Sequence, residues 1–178
     1  MSERSNLILL AAYNRWMNEK LYAAAAQLSA HALCEERGAF FGSVMGTLNH
    51  IVAGDTIWLQ RFAVQCPAHG ALDPVRALAA PSALAAVFST DLAALQAHRV
   101  MLDAVIGRWI DGVAEAELEA TLHYRNSKGI AGAKRLGSVL LHFFNHQTHH
   151  RGQVTTLLSQ AGVDVGVTDL LMLVPNAG

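Results

Sequence analysis

Four long segments of the chain repeat apolar residues at the spacing of an α-helix. They cover approximately residues 5–28, 44–65, 81–110 and 136–160. In the first segment, Leu7, Leu21 and Leu28 lie at multiples of seven residues from one another, which places them on one face. At about 1.5 Å per residue, the four helices have similar lengths and can pack along their whole extent. The sequence therefore predicts an all-α four-helix bundle.

The segment before the fourth helix has a different pattern. Residues 121–135 contain Leu122, Tyr124 and an NSKG turn, which indicates a short hairpin or an irregular loop. The tail, residues 163–178, is too apolar to stay free, and we expect it to pack on the bundle. A chain of 178 residues is long enough for one core. We therefore expect residues 1–178 to form a single domain.

Composition limits the partners and the compartment that we expect. Charged residues make up only 15 % of the chain, which indicates extensive burial, to which a subunit interface could contribute. The net charge of −1 gives no support for a nucleic-acid partner. No window reaches the length of about 18 uncharged apolar residues that a membrane span needs. Cys34 and Cys66 are isolated, as in a cytoplasmic protein with reduced thiols.

Histidine is the unusual residue, and four of the nine lie between residues 142 and 150. On a helical wheel, His146 and His150 fall within about 40° of each other, at or inside the apolar stripe of the fourth helix. A buried polar group without a partner costs about 1–3 kcal/mol, but a cation can accept a lone pair from each ring. The same spacing chelates zinc in HExxH enzymes, although the glutamate is absent here. Two core histidines that bond to other helices are the alternative.

His50 in the second helix is the candidate for a third ligand. It flanks the apolar stripe of that helix, and Gly54, one turn later, leaves room beside its imidazole. A single histidine in this position is more often an ordinary residue at the edge of a helix. Its significance comes from completing a site of three histidines on two helices.

Three sequence strings resemble the DinB family, also called DinB/YfiT-like. They are YNRW at residues 13–16, LNHIVAGDTIW at residues 48–58 and LHFFNHQTHHRGQ at residues 141–153. The resemblance covers nearly the whole chain. It implies an up-down-down-up bundle that binds a metal through His50, His146 and His150. It also implies homodimers, and some relatives are transferases or isomerases that use a low-molecular-weight thiol.

Three protein ligands leave an open position on a metal ion, as in catalytic sites. Neutral imidazoles suit zinc or nickel first, with iron, cobalt or manganese also compatible. We expect an enzyme in which the ion activates a thiol for transfer to a small-molecule substrate. The alternatives are a metal-dependent hydrolase and a non-catalytic metal-binding dimer that acts as a sensor or an interaction module.

Other polar residues could support the chemistry. Tyr124 could donate a proton, Gln153 could reach the open metal position, and Arg61 or Arg151 could bind an anionic substrate. Surface arginines exposed to solvent are the commoner case.

Further polar residues have two interpretations each. Asp55 either orients a ligand imidazole or pairs with an arginine, and Asn14 and Asn18 either contact the site or fix the helix register. A fourth protein ligand, His142 or Asp55, would favour the non-catalytic alternative.

Overall fold

The structure is a computed structural model that describes residues 2–126 and 128–176. Over these residues the chain is mostly helical, with one two-stranded antiparallel sheet. The α-helices are α1 (Glu3–Ala25), α2 (Ala30–Cys34), α3 (Val44–Gln65), α4 (Asp73–Arg76), α5 (Leu92–Gly112) and α6 (Leu136–Gln160). The strands are β1 (Thr121–Arg125) and β2 (Ala131–Arg135). Within the described part of the chain, no helix has the length and hydropathy of a membrane span.

The four long helices pack in two opposite directions. Helices α1 and α3 each contact both α5 and α6. Arg4 at the start of α1 donates to the carbonyl oxygen of Asp111 at the end of α5, so these helices are antiparallel. Glu3 pairs with Arg135, which directly precedes α6, so α1 and α6 are parallel. The apolar faces of these helices form a common core, as their helical periodicity predicts.

Helix α5 begins later than the sequence indicates. The prediction that a helix opens at Pro81 is wrong, because residues 79–90 form no helix and the side chain of Asp91 caps α5 instead. A tertiary contact holds the segment in its irregular path. Asn49 of α3 donates to the carbonyl oxygen of Ser89 at 2.9 Å and accepts from its N–H group at 3.2 Å. The segment is therefore tied to α3.

The predicted hairpin is present. Its strands pair Tyr124 with Gly132, and a β-carbon at residue 132 would lie only 2.7 Å from Cζ of the Tyr124 ring. Glycine at this position therefore lets the ring lie across β2. Ser127 of the predicted turn lies outside the described residues.

The tail contacts α1. Val163 is buried, and the hydroxyl of Tyr13 donates to the carbonyl oxygen of Thr168 at 2.6 Å. Leu171 and Met172 are nevertheless 75 % and 61 % exposed, so part of the apolar tail faces outward. The expectation that the tail packs on the long helices is met only over its first part.

A layer of buried polar side chains crosses the core, and each long helix contributes to it. Its members are Asn14 and Asn18 of α1, Asp55 of α3, Arg99 and Asp103 of α5, and Gln147 and Arg151 of α6. Arg99 pairs with both aspartates, and Asn14 and Asn18 each donate to Asp103 at 3.0 Å. The two asparagines therefore have the structural role, as one of the two interpretations predicts. Burial lowers the pKa of Arg99, but the two carboxylates outweigh it, so the guanidinium stays charged.

Candidate metal centre

Three imidazoles from two antiparallel helices converge inside the protein. Nε2 of His150 lies 3.1 Å from Nε2 of His50 and 3.1 Å from Nε2 of His146. All three ligand atoms lie within 4.8 Å of one another. Two nitrogens bound to one tetrahedral ion at about 2.0–2.1 Å are about 3.3 Å apart, so this spacing fits a single ion. The predicted set of histidines is brought together and could hold a metal ion.

Hydrogen bonds to the opposite nitrogens fix the tautomers. His50 donates from Nδ1 to the carbonyl oxygen of Leu84 at 2.8 Å, and His150 donates from Nδ1 to Oε1 of Gln153 at 2.8 Å. A neutral imidazole carries one proton, so the Nε2 atoms of both rings present lone pairs to each other. A cation between them removes the repulsion of these lone pairs. The donor set therefore fits a divalent metal, and His50 and His150 each have the outer partner that metal-binding histidines usually have.

The imidazoles are held in the neutral form that metals bind. Burial is the largest cause that lowers the pKa of all three rings. The pKa of His146 falls to about 3, because the imidazoles of His150 and His50 add to the effect of burial. Protons therefore compete weakly for these nitrogens near neutral pH.

Two neighbours shape the site. The ring of Phe41 stacks on the imidazole of His50, with 3.7 Å between the ring centroids. Phe41 lies outside the predicted helices, and the sequence analysis does not identify this contact. An aromatic residue just before Ser43, the cap of α3, is the available signal. Gly54 also adjoins the site, but the room that it leaves is for His146 and not for His50. A β-carbon at residue 54 would lie 3.1 Å from Cε1 of His146.

We expect Gly54→Ala to weaken metal binding by about tenfold, as substitutions beside a ligand commonly do. The added methyl group must push the His146 imidazole by a few tenths of an ångström. Titration against a chromophoric chelator measures the affinity. Gly107→Ala is the matched control, because a β-carbon there meets no atom within 4 Å. Equal affinities for the two variants would contradict the assigned position of the His146 ring.

We expect the metal-free protein to lose stability as the pH falls below 6.5. The pKa of His146 is near 6.5 in the unfolded chain and about 3 in the folded protein, so the unfolded chain binds more protons between these values. The free energy of unfolding therefore decreases with decreasing pH. Urea unfolding at about pH 7.5 and about pH 5 measures this change.

The control for this titration replaces single histidines. His146→Gln removes the group, and its stability should depend less on pH. His123→Gln changes an exposed residue of β1 and should keep the pH dependence of the wild type. The same dependence in both variants would show that His146 is not the group responsible.

Two cavities adjoin the cluster of histidines and share His146. The first, of about 670 Å³, is lined by Trp58, Arg61, Tyr124, His142, His146 and residues 80–84, among others, and is called the Trp58 cavity. The second, of about 360 Å³, is lined by Phe40, Phe41, His50, His146, His149, His150 and Gln153, and is called the Phe41 cavity. His146 belongs to both linings. Among the described residues, no aspartate or glutamate lines either cavity.

The catalytic candidates lie at different places. Tyr124 and Arg61 line the Trp58 cavity, as a role in catalysis or binding requires. Gln153 lines the Phe41 cavity, and its Oε1 accepts from Nδ1 of His150 at 2.8 Å, so it orients a candidate ligand. Arg151 is buried, and it donates to Asn14 within the polar layer.

The two candidates for a fourth ligand stand apart from the cluster. Asp55 pairs with Arg99 and accepts from Gln147 at 2.7 Å, so the interpretation as an arginine partner is the right one. The ring of His142 lies 6.1 Å from that of His146, and His142 does not belong to the converging group.

Comparison with known proteins gives consistent results. Residues 1–176 match the DinB family. The chain is 25 % identical to "Protein DinB" of Bacillus subtilis (strain 168) over 160 residues, which cover 88 % of this chain and 87 % of that protein. No solved structure matches. The match spans nearly the whole sequence and confirms the resemblance that the three strings indicate: the chain belongs to the DinB family.

Proposed function

We propose that this protein is a divalent-metal-dependent enzyme whose ligands are His50, His146 and His150, within a single up-down-down-up four-helix-bundle domain. The observation that supports the proposal most is the pair of Nε2 lone pairs of His50 and His150, which face each other at 3.1 Å. Both Nδ1 atoms are committed to other acceptors, so protein groups alone leave the contact repulsive. Zinc and nickel are the first candidates, because three neutral imidazoles suit either ion.

The proposed reaction joins the sulfur of a low-molecular-weight thiol to an electrophilic carbon of a small molecule. The thiol proton passes to solvent, and the leaving group departs from that carbon with the electron pair of the broken bond. A divalent ion on three neutral ligands supplies an uncompensated positive charge, which favours a thiolate over a thiol. The two cavities share His146, so two reactants can reach the same centre from different sides. Phe41 covers one side of the His50 ring and excludes water there.

Hydrolysis is less well supported. Activation of water commonly uses a carboxylate base beside the ion, and no described aspartate or glutamate lines either cavity. Asp55 is the buried carboxylate closest in sequence to His50, and it pairs with Arg99 instead. A free thiol has a pKa of about 8.5, so the positive charge of a bound metal ion would suffice to hold it as the thiolate at neutral pH.

The test compares two reactions of the zinc- and nickel-loaded protein. In the first, a simple thiol is mixed with 1-chloro-2,4-dinitrobenzene, and formation of the thioether is followed by absorbance. In the second, an activated ester and an amide are offered without thiol. We expect thioether formation that His146→Ala reduces to the uncatalysed rate. Turnover of the ester or amide alone would favour the hydrolase, and metal binding without either reaction would favour the non-catalytic protein.

A further inference from the structure

Arg61 is a half-buried cation with aromatic neighbours and no anionic partner. Its guanidinium carbon lies 4.6 Å from the centroid of the Trp58 ring and 5.4 Å from that of Tyr124. Within residues 2–126 and 128–176, it makes no ion pair, and none of the side-chain hydrogen bonds involves it. Burial lowers its pKa, which means that the surroundings compensate its charge incompletely.

The fully buried arginines Arg99 and Arg151 are different. Arg99 is flanked by two aspartates, and Arg151 donates to Asn14 and to the hydroxyl of Thr148. Burying a guanidinium is unfavourable unless its charge and its N–H groups have partners. Two aromatic faces stabilise the cation in part but leave its N–H groups without acceptors. Arg61 is half-buried, and its N–H groups are therefore open to an acceptor in the cavity that the protein itself does not provide.

The lining of the Trp58 cavity indicates the chemistry of that acceptor. Among the described lining residues, Arg61 is the only arginine or lysine, so the cavity matches a single negative charge. The planar guanidinium fits the two oxygens of a carboxylate. Ile57, Trp58 and Leu84 give the same cavity apolar walls. A dianionic phosphate would need a second cation, whereas a monocarboxylate with an apolar body matches both features.

We propose that the Trp58 cavity binds an organic monocarboxylate, with its carboxylate on Arg61 and its apolar body directed along the cavity toward His146. This inference deepens the proposed function, because it identifies the class of substrate that meets the thiol. The spacing of residues along α3 indicates the length of the ligand. Gly54, which contacts the His146 ring, precedes Arg61 by seven residues, so the two positions are about 10 Å apart along α3. A ligand of about this length would extend from the Arg61 position to the His146 ring.

The probes for this site are 4-phenylbutyrate and its neutral amide, which have the same shape but different charge. Isothermal titration calorimetry measures both affinities on the full chain, as purified and after removal of metal by a chelator. We expect the carboxylate to bind about tenfold more tightly than the amide, the size of effect expected for one hydrogen-bonded ion pair. Arg61→Gln should remove this preference, and Arg61→Lys should keep part of it. Arg108→Gln, an exposed arginine of α5, should leave it unchanged.

Several results would overturn the proposal. If the wild type binds 4-phenylbutyrate and its amide equally well, the proposal is overturned. This measurement needs no variant, so it holds even if Arg61→Gln fails to fold. An undiminished preference for the carboxylate in a folded Arg61→Gln protein would also overturn the proposal. Arg61 would then serve only to stack on Trp58 and Tyr124. Metal content is measured on the same samples. A carboxylate preference in protein that binds no metal would support the Arg61 site and contradict the proposed enzyme, so the two failures are distinguishable.

Discussion

Replacement of His146 by alanine is expected to abolish metal binding while the helices stay folded. Nε2 of His146 lies 3.1 Å from Nε2 of His150. Loss of the His146 imidazole leaves only two ligands, which lie on separate helices. Substitution of residues that only support a ligand costs about 10–100-fold in affinity, and loss of a direct ligand should exceed this. Elemental analysis of untagged, unheated protein measures the effect, and we expect about one ion per chain to fall to nearly none.

His142→Ala is the matched control for this experiment. His142 lies on the same helix one turn earlier, but it is exposed and outside the converging group. Its variant should retain the metal content of the wild type. Equal metal content in His146→Ala and the wild type would remove the basis for the proposed function.

Arg99→Met is expected to lower the free energy of unfolding by about 3–5 kcal/mol, the range seen when one partner of a buried ion pair is removed. Methionine keeps most of the volume of the side chain but removes the charge. Asp55 and Asp103 would then lie buried without the cation that both now contact. Urea unfolding followed by circular dichroism gives the difference.

Arg15→Met provides the comparison on the surface. Arg15 pairs with Glu19 four residues later, but both side chains are more than half exposed, at 68 % and 55 %. Pairs of this kind contribute about 0–1 kcal/mol. If the two variants are equally stable, the polar layer does not stabilise the fold as its burial indicates.

The long helices could be predicted because local signals define them. The predicted bounds of α3 and α6, 44–65 and 136–160, agree with the structure because Ser43 caps one helix and Gly162 follows the other. The start of α5 could not be predicted in this way. It depends on Asn49, a residue of another helix, which holds residues 79–90 away from helical geometry.

In the candidate site, too, features set within one helix could be predicted and features set by tertiary packing could not. One helix sets the relation between His146 and His150, so periodicity alone predicts that they share a face. The approach of His50 depends on how two helices pack, which periodicity does not determine. The sequence offered His50 as the candidate third ligand, and the family resemblance implied the same residue. The contacts from Leu84 and Gln153 to the rings were not predicted. A backbone carbonyl in an irregular segment leaves no trace in the pattern of side chains.

The bond between Leu84 and His50 has a consequence for how the two halves of the site communicate. Residues 80–84 form a wall of the Trp58 cavity, and the carbonyl oxygen of Leu84 holds the proton on Nδ1 of His50. Without this hydrogen bond the imidazole could adopt the other tautomer, in which Nε2 carries the proton and offers no lone pair to its neighbours. One hydrogen bond therefore ties a wall of the cavity to the tautomer that leaves Nε2 of His50 available to a metal ion.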